Sequence, residues 1–326
     1  ASIFLYGQHQ IGKTSLLKNL IALFGKPQQV VALFIDLQGI AIAGNNITGF
    51  FENVLAYQIQ SNAKQYYQID LPKFTITNDP YIDFNAWLDE IQQAYLKDKV
   101  LILLLDEFSK LNAVIQENES QFDHGRLDDM LRFWIQNRDN FQFVVSSQRK
   151  IDVKSWSSLV NSIEAVPISY LTEAEAKQLI EAPVKDFALQ YESAATEEIL
   201  RLTRRHPALI KYLCKEIIAL KNTQNIEQRF LANLQDVLVS IPKVLETAMA
   251  VLSTNEARFK ESGQQVLRYI AQQNKPIDLQ TLKIQAFDDL EENLELAEQL
   301  AILEKTEDKY QFQVELLRLY FAQQKN

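Results

Sequence analysis

Residues Gly7 to Thr14 read Gly, four unrestricted positions, Gly, Lys and Thr, and they stand between two segments of different periodicity. The run 2–6 before them is apolar and rich in β-forming side chains. The segment 14–24 after them repeats Leu, Ile and Phe at helical spacing. A strand, a glycine loop and a helix in this order direct backbone N–H groups at one anion, beside the positive end of the helix. The pattern therefore predicts a phosphate-binding loop in an α/β domain.

The residue types of this loop indicate which phosphates it holds. The expected ligand is ATP or ADP with Mg²⁺. We expect the Lys13 ammonium to reach the β and γ phosphates of ATP, and the Thr14 hydroxyl to hold Mg²⁺. The residues expected to bind the nucleotide are Gly7, Gln10, Ile11, Gly12, Lys13, Thr14 and Ser15. The alternative interpretation is a glycine turn before an ordinary helix.

An acidic pair, Asp106 and Glu107, follows six consecutive apolar residues at 100–105. Such a strand is typical of the centre of a parallel sheet that is covered by helices on both faces. Asp106 then lies at the carboxyl edge of the sheet, where we expect it to hold Mg²⁺ together with Thr14. Glu107 is expected to orient the water that attacks the γ phosphate. The alternatives are a helix cap for Asp106 and a solvated loop acid for Glu107.

A further strand pattern, 141–145, ends in the polar segment 146–149. Because the carboxyl ends of parallel strands meet at one edge, these polar residues are expected to lie beside Asp106. We predict that Arg149 stabilises the charge of the γ phosphate, with an exposed arginine as the equal alternative. Another strand pattern, 30–36, also ends in an acid, Asp36, to which the sequence assigns no task.

Composition excludes several classes of site. The single cysteine allows no disulfide within the chain, and the three histidines lack metal-ligand spacing. No run of 18 apolar residues occurs, so no membrane span is expected. The net charge of -9 argues against a nucleic-acid coat or an anionic membrane patch. We expect a cytoplasmic protein and, because the chain starts almost inside its first strand, a segment of a longer one.

The pattern of the chain changes near residue 170. Before it, strands alternate with helical patterns at 49–63, 84–96 and 125–137, as in a parallel α/β domain. After it, a capping box at 172–175 opens a run of helices, at 193–203, 207–220 and 226–239. Three arginines and His206 precede Pro207, which suits the first turn of a helix. This basic turn faces a nucleotide in one interpretation and is an ordinary helix end in the other.

The last part of the chain, from about residue 261, reads helix, short helix, helix and hairpin, which is typical of a winged helix. In winged helices that bind DNA, the third helix must meet phosphates with lysines and arginines. Here the third helix, expected over 288–299, has no basic residue. Its acidic residues are Asp288, Asp289, Glu291, Glu292, Glu295 and Glu298. We therefore expect this helix to repel duplex DNA.

Four features together resemble the STAND signalling ATPases, which belong to the AAA+ group. These features are the Gly-Lys-Thr loop, the Asp-Glu pair after an apolar strand, the His-Pro turn among helices, and the winged helix. The likeness extends over nearly the whole chain, and the segment 170–210 is similar to the bacterial and archaeal branch in particular. Where the family usually has two glycines before the His-Pro pair, this chain has Arg204 and Arg205.

The resemblance implies a fold and a set of site residues. It implies a P-loop NTPase core over 1–170 with a parallel sheet in the order 5-1-4-3-2, a helical lid over 171–242 and a winged-helix domain over 243–326. It also implies that His206 and Pro207 contact the nucleotide and that Arg149 is a sensor. In that family nucleotide exchange converts a closed ADP-bound monomer into an ATP-bound oligomer. The implied partners are copies of the chain itself, and effector and sensor domains outside it.

Three functions are compatible with these patterns. The first is an ATP-hydrolysing molecular switch whose nucleotide state controls conformation and oligomerisation. The second is an AAA+ ATPase that acts on nucleic acid, of the origin-recognition or transposition type, against which the acidic third helix counts. The third is a small-molecule kinase, for which the winged helix has no purpose.

Overall fold

The computed structural model describes residues 2–24, 29–41, 46–148, 150, 156–248 and 259–324. The chain forms two compact units. The first comprises Ala1–Gly7 and Gly12–Ile168, and the second comprises Gln8–Ile11 and Ser169–Asn326. The finer division into three domains at 170 and 242 stays a prediction.

The first unit alternates strands with helices. Its strands are β1 (Ile3–Tyr6), β2 (Val30–Asp36), β3 (Val100–Asp106), β4 (Phe141–Ser147) and β5 (Glu164–Pro167). Its helices are α1 (Lys13–Phe24), α2 (47–67), α3 (80–96), α4 (Phe108–Glu117), α5 (His124–Asn137) and α6 (Ser157–Val160). Short 3-10 turns cover Leu37–Ala41 and Glu119–Gln121, and π-helical turns lie within α2 at Phe50–Ala56 and at the end of α3 at Ile91–Leu96.

Among the described residues the five strands form one parallel sheet in the order β2-β3-β4-β1-β5. Read from the other edge, this is the order 5-1-4-3-2 that the family resemblance implied, so that prediction is confirmed. The strand β3 lies between β2 and β4, and its register places Asp106 opposite Asp36. Since β1 pairs with β4, the glycine loop after β1 and the acidic pair after β3 leave the same edge of the sheet.

The central strand β3 is buried on both faces, as its unbroken apolar run predicts. Leu101, Leu103 and Leu105 belong to a large cluster of buried residues on one face of the sheet. Ile102 and Leu104 belong to a second cluster, which contains Leu17 and Ile21 of α1. The helix α1, which follows the glycine loop, therefore packs against the face of β3 that carries Ile102 and Leu104.

The helices α2 (47–67 rather than 49–63) and α3 extend beyond their expected bounds, and the strand β5 has no counterpart among the expected strands. The helix α3 begins at Pro80 rather than at residue 84, because the Asp79 carboxylate accepts from two backbone N–H groups and proline suits the first helical position. The strand β5 has no clear sequence signal. It is four residues long and largely exposed at the edge of the sheet, so it lacks the apolar run that marks β3.

The second unit is mainly helical. Its helices are α7 (Glu173–Glu181), α8 (Ser193–Thr203), α9 (Pro207–Asn222), α10 (Leu234–Thr247), α11 (Glu261–Gln273), α12 (Leu279–Ile284), α13 (Leu290–Gln299) and α14 (Glu315–Gln323). Its strands are β6 (Gln190–Tyr191), β7 (Leu231–Ala232), β8 (Ile277–Asp278), β9 (Leu303–Thr306) and β10 (Lys309–Phe312). The elements from α11 to β10 follow the expected winged-helix order of helix, short helix, helix and hairpin. The hairpin of β9 and β10 turns at Glu307, which has a left-handed conformation (φ 57°).

The third helix of this winged helix, α13, exposes its acidic side chains. All six acids at 288–298 are exposed, whereas Leu290, Leu294 and Ala297 are buried. The amphipathic pattern therefore turns the charged face outward, as the sequence indicates. No helix among the described residues has the length and apolar character needed to cross a membrane.

The helix expected over 226–239 is displaced along the chain. It is α10 and begins only after Asn233, whose side chain and that of Asp236 form a capping box. Residues 231–232 instead pair with β6 as a strand. The helix continues past Pro242 to Thr247, so it also crosses the predicted domain boundary at 242.

A buried ion pair joins α9 to α10. The Lys221 ammonium donates to the Asp236 carboxylate at 2.9 Å, and both side chains are less than a tenth exposed. Gln224 donates to the other Asp236 oxygen at 3.1 Å. Burial alone raises the pKa of Asp236, but hydrogen bonds from the Asn233 backbone, Lys221 and Gln224 outweigh it and leave that pKa below its ordinary value.

We expect Lys221→Met to lower the free energy of unfolding by about 3 kcal/mol, since removal of one partner leaves a buried charge without its counterion. Urea denaturation followed by circular dichroism measures this loss. The matched control is Lys243→Met, because the exposed Lys243–Glu246 pair at 2.9 Å lies on α10, the helix that carries Asp236. That control should leave the free energy of unfolding close to the wild-type value, because solvent screens an exposed ion pair. Equal losses in the two variants would contradict the assignment.

Candidate nucleotide-binding site

The glycine loop between β1 and α1 requires an unusual backbone. Gly12 has φ 108°, a conformation that L side chains rarely adopt, while an added Cβ would meet nothing within 4 Å. The backbone angle, rather than a lack of space, therefore selects glycine at this position. Gln10 is also left-handed, with φ 59°. Of the other expected ligand residues, Ile11 is buried, whereas Gln10 and Ser15 are exposed.

Lys13 lies at the start of α1 and is only 4% exposed. Its ammonium donates to the Gly7 carbonyl oxygen at 3.0 Å, across the loop. Burial lowers the pKa of Lys13, and the nearby charges of Glu107 and Asp106 oppose this shift. The lysine is thus held close to both acids, and the burial that depresses its pKa leaves its charge poorly hydrated. Such a cation favours an incoming anion.

The loop and the acidic pair meet at Asp106. The Thr14 hydroxyl donates to Asp106 Oδ2 at 2.6 Å, and the Ser146 hydroxyl donates to Asp106 Oδ1. Asp106 is only 2% exposed. The structure therefore brings together the two predicted magnesium ligands, which are 92 residues apart in sequence. A hydroxyl and a carboxylate are oxygen donors of the kind that Mg²⁺ prefers, so these residues fit that ion.

Glu107 is neither an exposed loop acid nor an ordinary helix residue. It is 8% exposed and has a left-handed backbone, with φ 58°, immediately before α4. Its backbone N–H donates to the Ser146 hydroxyl at 3.3 Å. The residue that precedes α4 as its cap is Glu107, so the alternative of Asp106 as a helix cap is wrong. The solvated-acid alternative for Glu107 is also wrong, because its side chain is buried beside Lys13.

The end of β4 holds two buried serines, Ser146 and Ser147. The Ser147 carbonyl oxygen accepts from the Gly7 N–H at 3.3 Å, which ties the start of the loop to β4. The polar character of 146–149 indicated this region from the sequence, but not the contact of Ser146 with Asp106. Arg149 lies outside the described residues, so its sensor role stays a prediction.

The His-Pro turn lies in the second unit. Pro207 is the first residue of α9 and His206 precedes it as the cap residue, as the sequence predicts. His206 is 4% exposed, and its ring centroid lies 6.0 Å from that of Tyr170. Contact of His206 and Pro207 with a nucleotide stays a prediction.

The arginine pair before this turn adopts the conformation that glycines favour. Arg204 and Arg205 have φ 47° and 64°. Each non-glycine residue in the left-handed backbone conformation costs about 1 kcal/mol or more. Contacts to the winged helix compensate, because the Arg204 guanidinium pairs with Glu304 at 2.7 Å and donates to the Gln313 carbonyl at 3.0 Å. The hydrogen bond from Arg204 is the main cause that lowers the pKa of Glu304.

We expect Glu304→Gln to lower the free energy of unfolding by about 0.5 to 1 kcal/mol at neutral pH, since the pair with Arg204 is partly screened. The folded-state pKa of Glu304 is depressed. The contribution of Glu304 to the free energy of unfolding is therefore complete above the unfolded-state pKa of about 4.3. It is lost as the pH falls through the folded-state pKa. Urea denaturation at several pH values measures the difference. Glu291→Gln is the control, because the Glu291–Lys283 pair is highly exposed. A difference from wild type that persists in acid would contradict this account.

Known protein structures resemble this chain in fold. No protein-family model matches the chain, and no curated protein matches it. A Walker-type ATPase of Pyrococcus abyssi superposes with a TM-score of 0.64 at 15% identity, covering 98% of this chain and 90% of that one. The ORC2 protein of Aeropyrum pernix, in ADPNP-ADP complexes, gives 0.57 at 13% identity over 98% and 87% of the two chains. Its ADP form gives 0.53 at 13% identity, with coverages of 98% and 88%.

Both similar proteins share the arrangement described above over nearly their whole length, although their sequences are distant from this one. The likeness therefore concerns the parallel sheet and the helices, and not the detail of the site. The glycine loop, Lys13 and Asp106 lie at the edge of the sheet where P-loop proteins bind nucleotides. The chain has the fold of the Walker-type P-loop ATPases.

Proposed function

We propose that this chain binds ATP with Mg²⁺ and hydrolyses it. The observation that carries the proposal is the convergence of four side chains at one edge of the sheet, Lys13, Thr14, Asp106 and Glu107. A buried lysine beside a hydroxyl, a carboxylate and a second buried acid is an arrangement that suits an anion and its metal ion. Each of the four matches a requirement of phosphoryl transfer to water.

The residues divide the work between binding and chemistry. The loop N–H groups and the Lys13 ammonium hold the phosphates and offset their charge. Thr14 and Asp106 would hold Mg²⁺, which when bound neutralises charge on the β and γ phosphates. The Glu107 carboxylate accepts a proton from, and orients, a water molecule at the γ phosphate. Because Glu107 follows Asp106 directly, the end of β3 positions both the metal-binding carboxylate and the carboxylate that orients the water.

Calorimetric titration with ATP, and phosphate release measured with and without Mg²⁺, test the proposal. The expected results are micromolar or tighter binding and a slow phosphate release that chelation of Mg²⁺ abolishes. Absence of binding by the folded protein would contradict it.

The structural likeness supports one of the candidate functions over the others. Similarity to the ORC2 protein extends over 98% of this chain, including the winged helix. This favours an AAA+ ATPase that acts on nucleic acid over a STAND-type signalling switch. The exposed acids of α13 argue against that helix as the DNA-binding element, because they would face phosphates with like charge. Any contact with nucleic acid then uses loops or other surfaces of the chain.

The two uses differ in what stimulates turnover. An ATPase that acts on nucleic acid should release phosphate faster when single-stranded or duplex DNA is added at low salt. A switch should be indifferent to DNA, and should change from monomer to oligomer when ADP is replaced by a non-hydrolysable ATP analogue. Phosphate release and light scattering on the same samples distinguish the two. We expect stimulation by DNA.

A further inference from the structure

The strand β2 forms one edge of the parallel sheet, and its outer side faces the helix α2. In a strand, the N–H and C=O groups of alternate residues point to opposite sides. The Val100 N–H donates to the Gln29 carbonyl oxygen at 2.8 Å, so Gln29 faces β3. By alternation, Ala32, Phe34 and Asp36 direct their backbone groups away from β3. Among the described residues no further strand pairs with β2 on that side.

Two side chains of α2 bond this edge as a neighbouring strand would. The Tyr67 hydroxyl accepts from the Ala32 N–H at 2.9 Å and donates to the Ala32 carbonyl oxygen at 3.1 Å. The Gln58 amide accepts from the Asp36 N–H at 2.8 Å and donates to the Asp36 carbonyl oxygen at 2.9 Å. Each side chain therefore satisfies both the donor and the acceptor of one backbone residue.

A third side chain and the spacing of the helix complete the match. The Asn62 amide donates to the Phe34 carbonyl oxygen at 2.6 Å, between the other two contacts. Alternate residues of a strand lie about 6.6 Å apart. The steps from residue 58 to 62 and from 62 to 67 are about 6 and 7.5 Å along a helix axis. Five of the six outward N–H and C=O groups of the three strand residues are thus bonded to α2.

The composition of β2 makes an open edge hazardous. Val30–Asp36 begins with six consecutive apolar residues and contains neither proline nor glycine. Short uncharged segments of high β propensity pair readily with copies of themselves when an edge is open. A strand of this kind therefore needs a cover on its outer side.

The opposite edge of the sheet is protected in a different way. The Ile168 N–H donates to the Tyr6 carbonyl oxygen at 2.7 Å, so Ile168 faces β1 and the preceding Pro167 faces outward. Proline offers no N–H to an incoming strand, which is a common protection of sheet edges. Since β2 lacks a proline, its protection depends on the side chains of α2.

We infer that α2 acts as a side-chain substitute for a sixth strand, and that it prevents β2 from pairing with β2 of a second copy of the chain. A second copy fits the open edge because two identical strands related by a two-fold axis run antiparallel and present the same outward groups to each other. The inference does not depend on ATP hydrolysis. Assembly of the intact protein then uses surfaces other than this edge.

The test compares two double variants of α2 in the nucleotide-free protein. Gln58→Met/Tyr67→Phe removes two of the three side-chain contacts to β2. Gln60→Met/Tyr66→Phe makes the same two chemical changes on the same helix, where Gln60 donates to the Pro72 carbonyl oxygen at 2.6 Å and Tyr66 is 49% exposed. Light scattering at increasing protein concentration should give the first variant about twice the molar mass of the second or more, and the second should match wild type.

Hydrogen exchange at the Ala32 N–H gives a second measurement. In the wild-type protein this amide should exchange slowly, although it faces away from the other strands. At low protein concentration Tyr67→Phe alone should accelerate its exchange about 10-fold, as for loss of one hydrogen bond, whereas Tyr66→Phe should leave the rate unchanged. In the associated fraction of Gln58→Met/Tyr67→Phe the same amide should regain protection, because a strand of the second copy then pairs with it.

Three results would overturn the inference. The first is equal molar mass of the two double variants at every concentration, with both folded by circular dichroism. The second is unchanged exchange at Ala32 in Tyr67→Phe. The third is association without renewed protection of Ala32, since the contact between copies then lies elsewhere. If the double variant does not fold, Tyr67→Phe and Tyr66→Phe serve for both measurements.

Discussion

Lys13→Ala will weaken ATP binding by about two orders of magnitude or more, and phosphate release will fall below detection. The reason is that Lys13 supplies a charge-assisted contact from a buried position, and such contacts contribute about 1.5 to 3 kcal/mol each. Since Lys13 is a buried residue beside two acids, loss of its ammonium also leaves Asp106 and Glu107 with an uncompensated negative charge that repels phosphate. Calorimetric titration with ATP measures the effect.

The matched control for this prediction is Lys18→Ala. Lys18 lies on the same helix α1, is exposed, and packs its ammonium over the Phe34 ring at 5.2 Å. Its removal changes the net charge by the same amount, and ATP affinity should stay within about twofold of wild type. Unaltered ATP affinity in a folded Lys13→Ala protein would contradict the assignment of the glycine loop as the phosphate-binding loop.

Glu107→Gln will bind ATP about as well as the wild-type protein and hydrolyse it about 100- to 1000-fold more slowly, because a positioned general base contributes about 10²- to 10⁴-fold. The amide keeps the size of the side chain, and the hydrogen bond from the Glu107 N–H to Ser146 is unaffected by the change. A loss confined to kcat identifies an interaction made in the transition state. Single-turnover phosphate release and an ATP titration, measured on the same preparation, separate the two quantities.

Glu117→Gln is the control, because Glu117 is exposed at the opposite end of α4 and loses the same charge. It should turn over ATP at the wild-type rate. If Glu107→Gln also did so, another group would have to activate the water, and the placement of Glu107 beside Lys13 would then be only structural.

Much of the first unit could be predicted from sequence because its signals are local. The strand β3 is apolar at every position, and the sequence places Asp106 at its end without any knowledge of tertiary contacts. The loop motif likewise defines Gly12 through its backbone requirement. By contrast, β5 is an exposed strand of four residues, and its place beside β1 depends on long-range pairing that leaves little trace in its composition.

The roles of polar residues inside the site were harder to predict. The sequence predicts that the polar segment 146–149 lies close to Asp106, but which hydroxyl meets which acid depends on the register of β3 against β4. The displacement of α10 has a similar origin, because the apolar pattern near 226–239 continues through a short strand that pairs with β6. In both places a contact distant in sequence decides between locally acceptable structures.

The most direct test of the central claim is a crystal structure of the protein with Mg²⁺ and a non-hydrolysable ATP analogue. The account predicts phosphates within hydrogen-bond distance of Lys13 Nζ, a metal ion on the Thr14 hydroxyl, and the Asp106 carboxylate beside that ion. A nucleotide bound elsewhere, with the hydrogen bond between Thr14 and Asp106 intact, would contradict it.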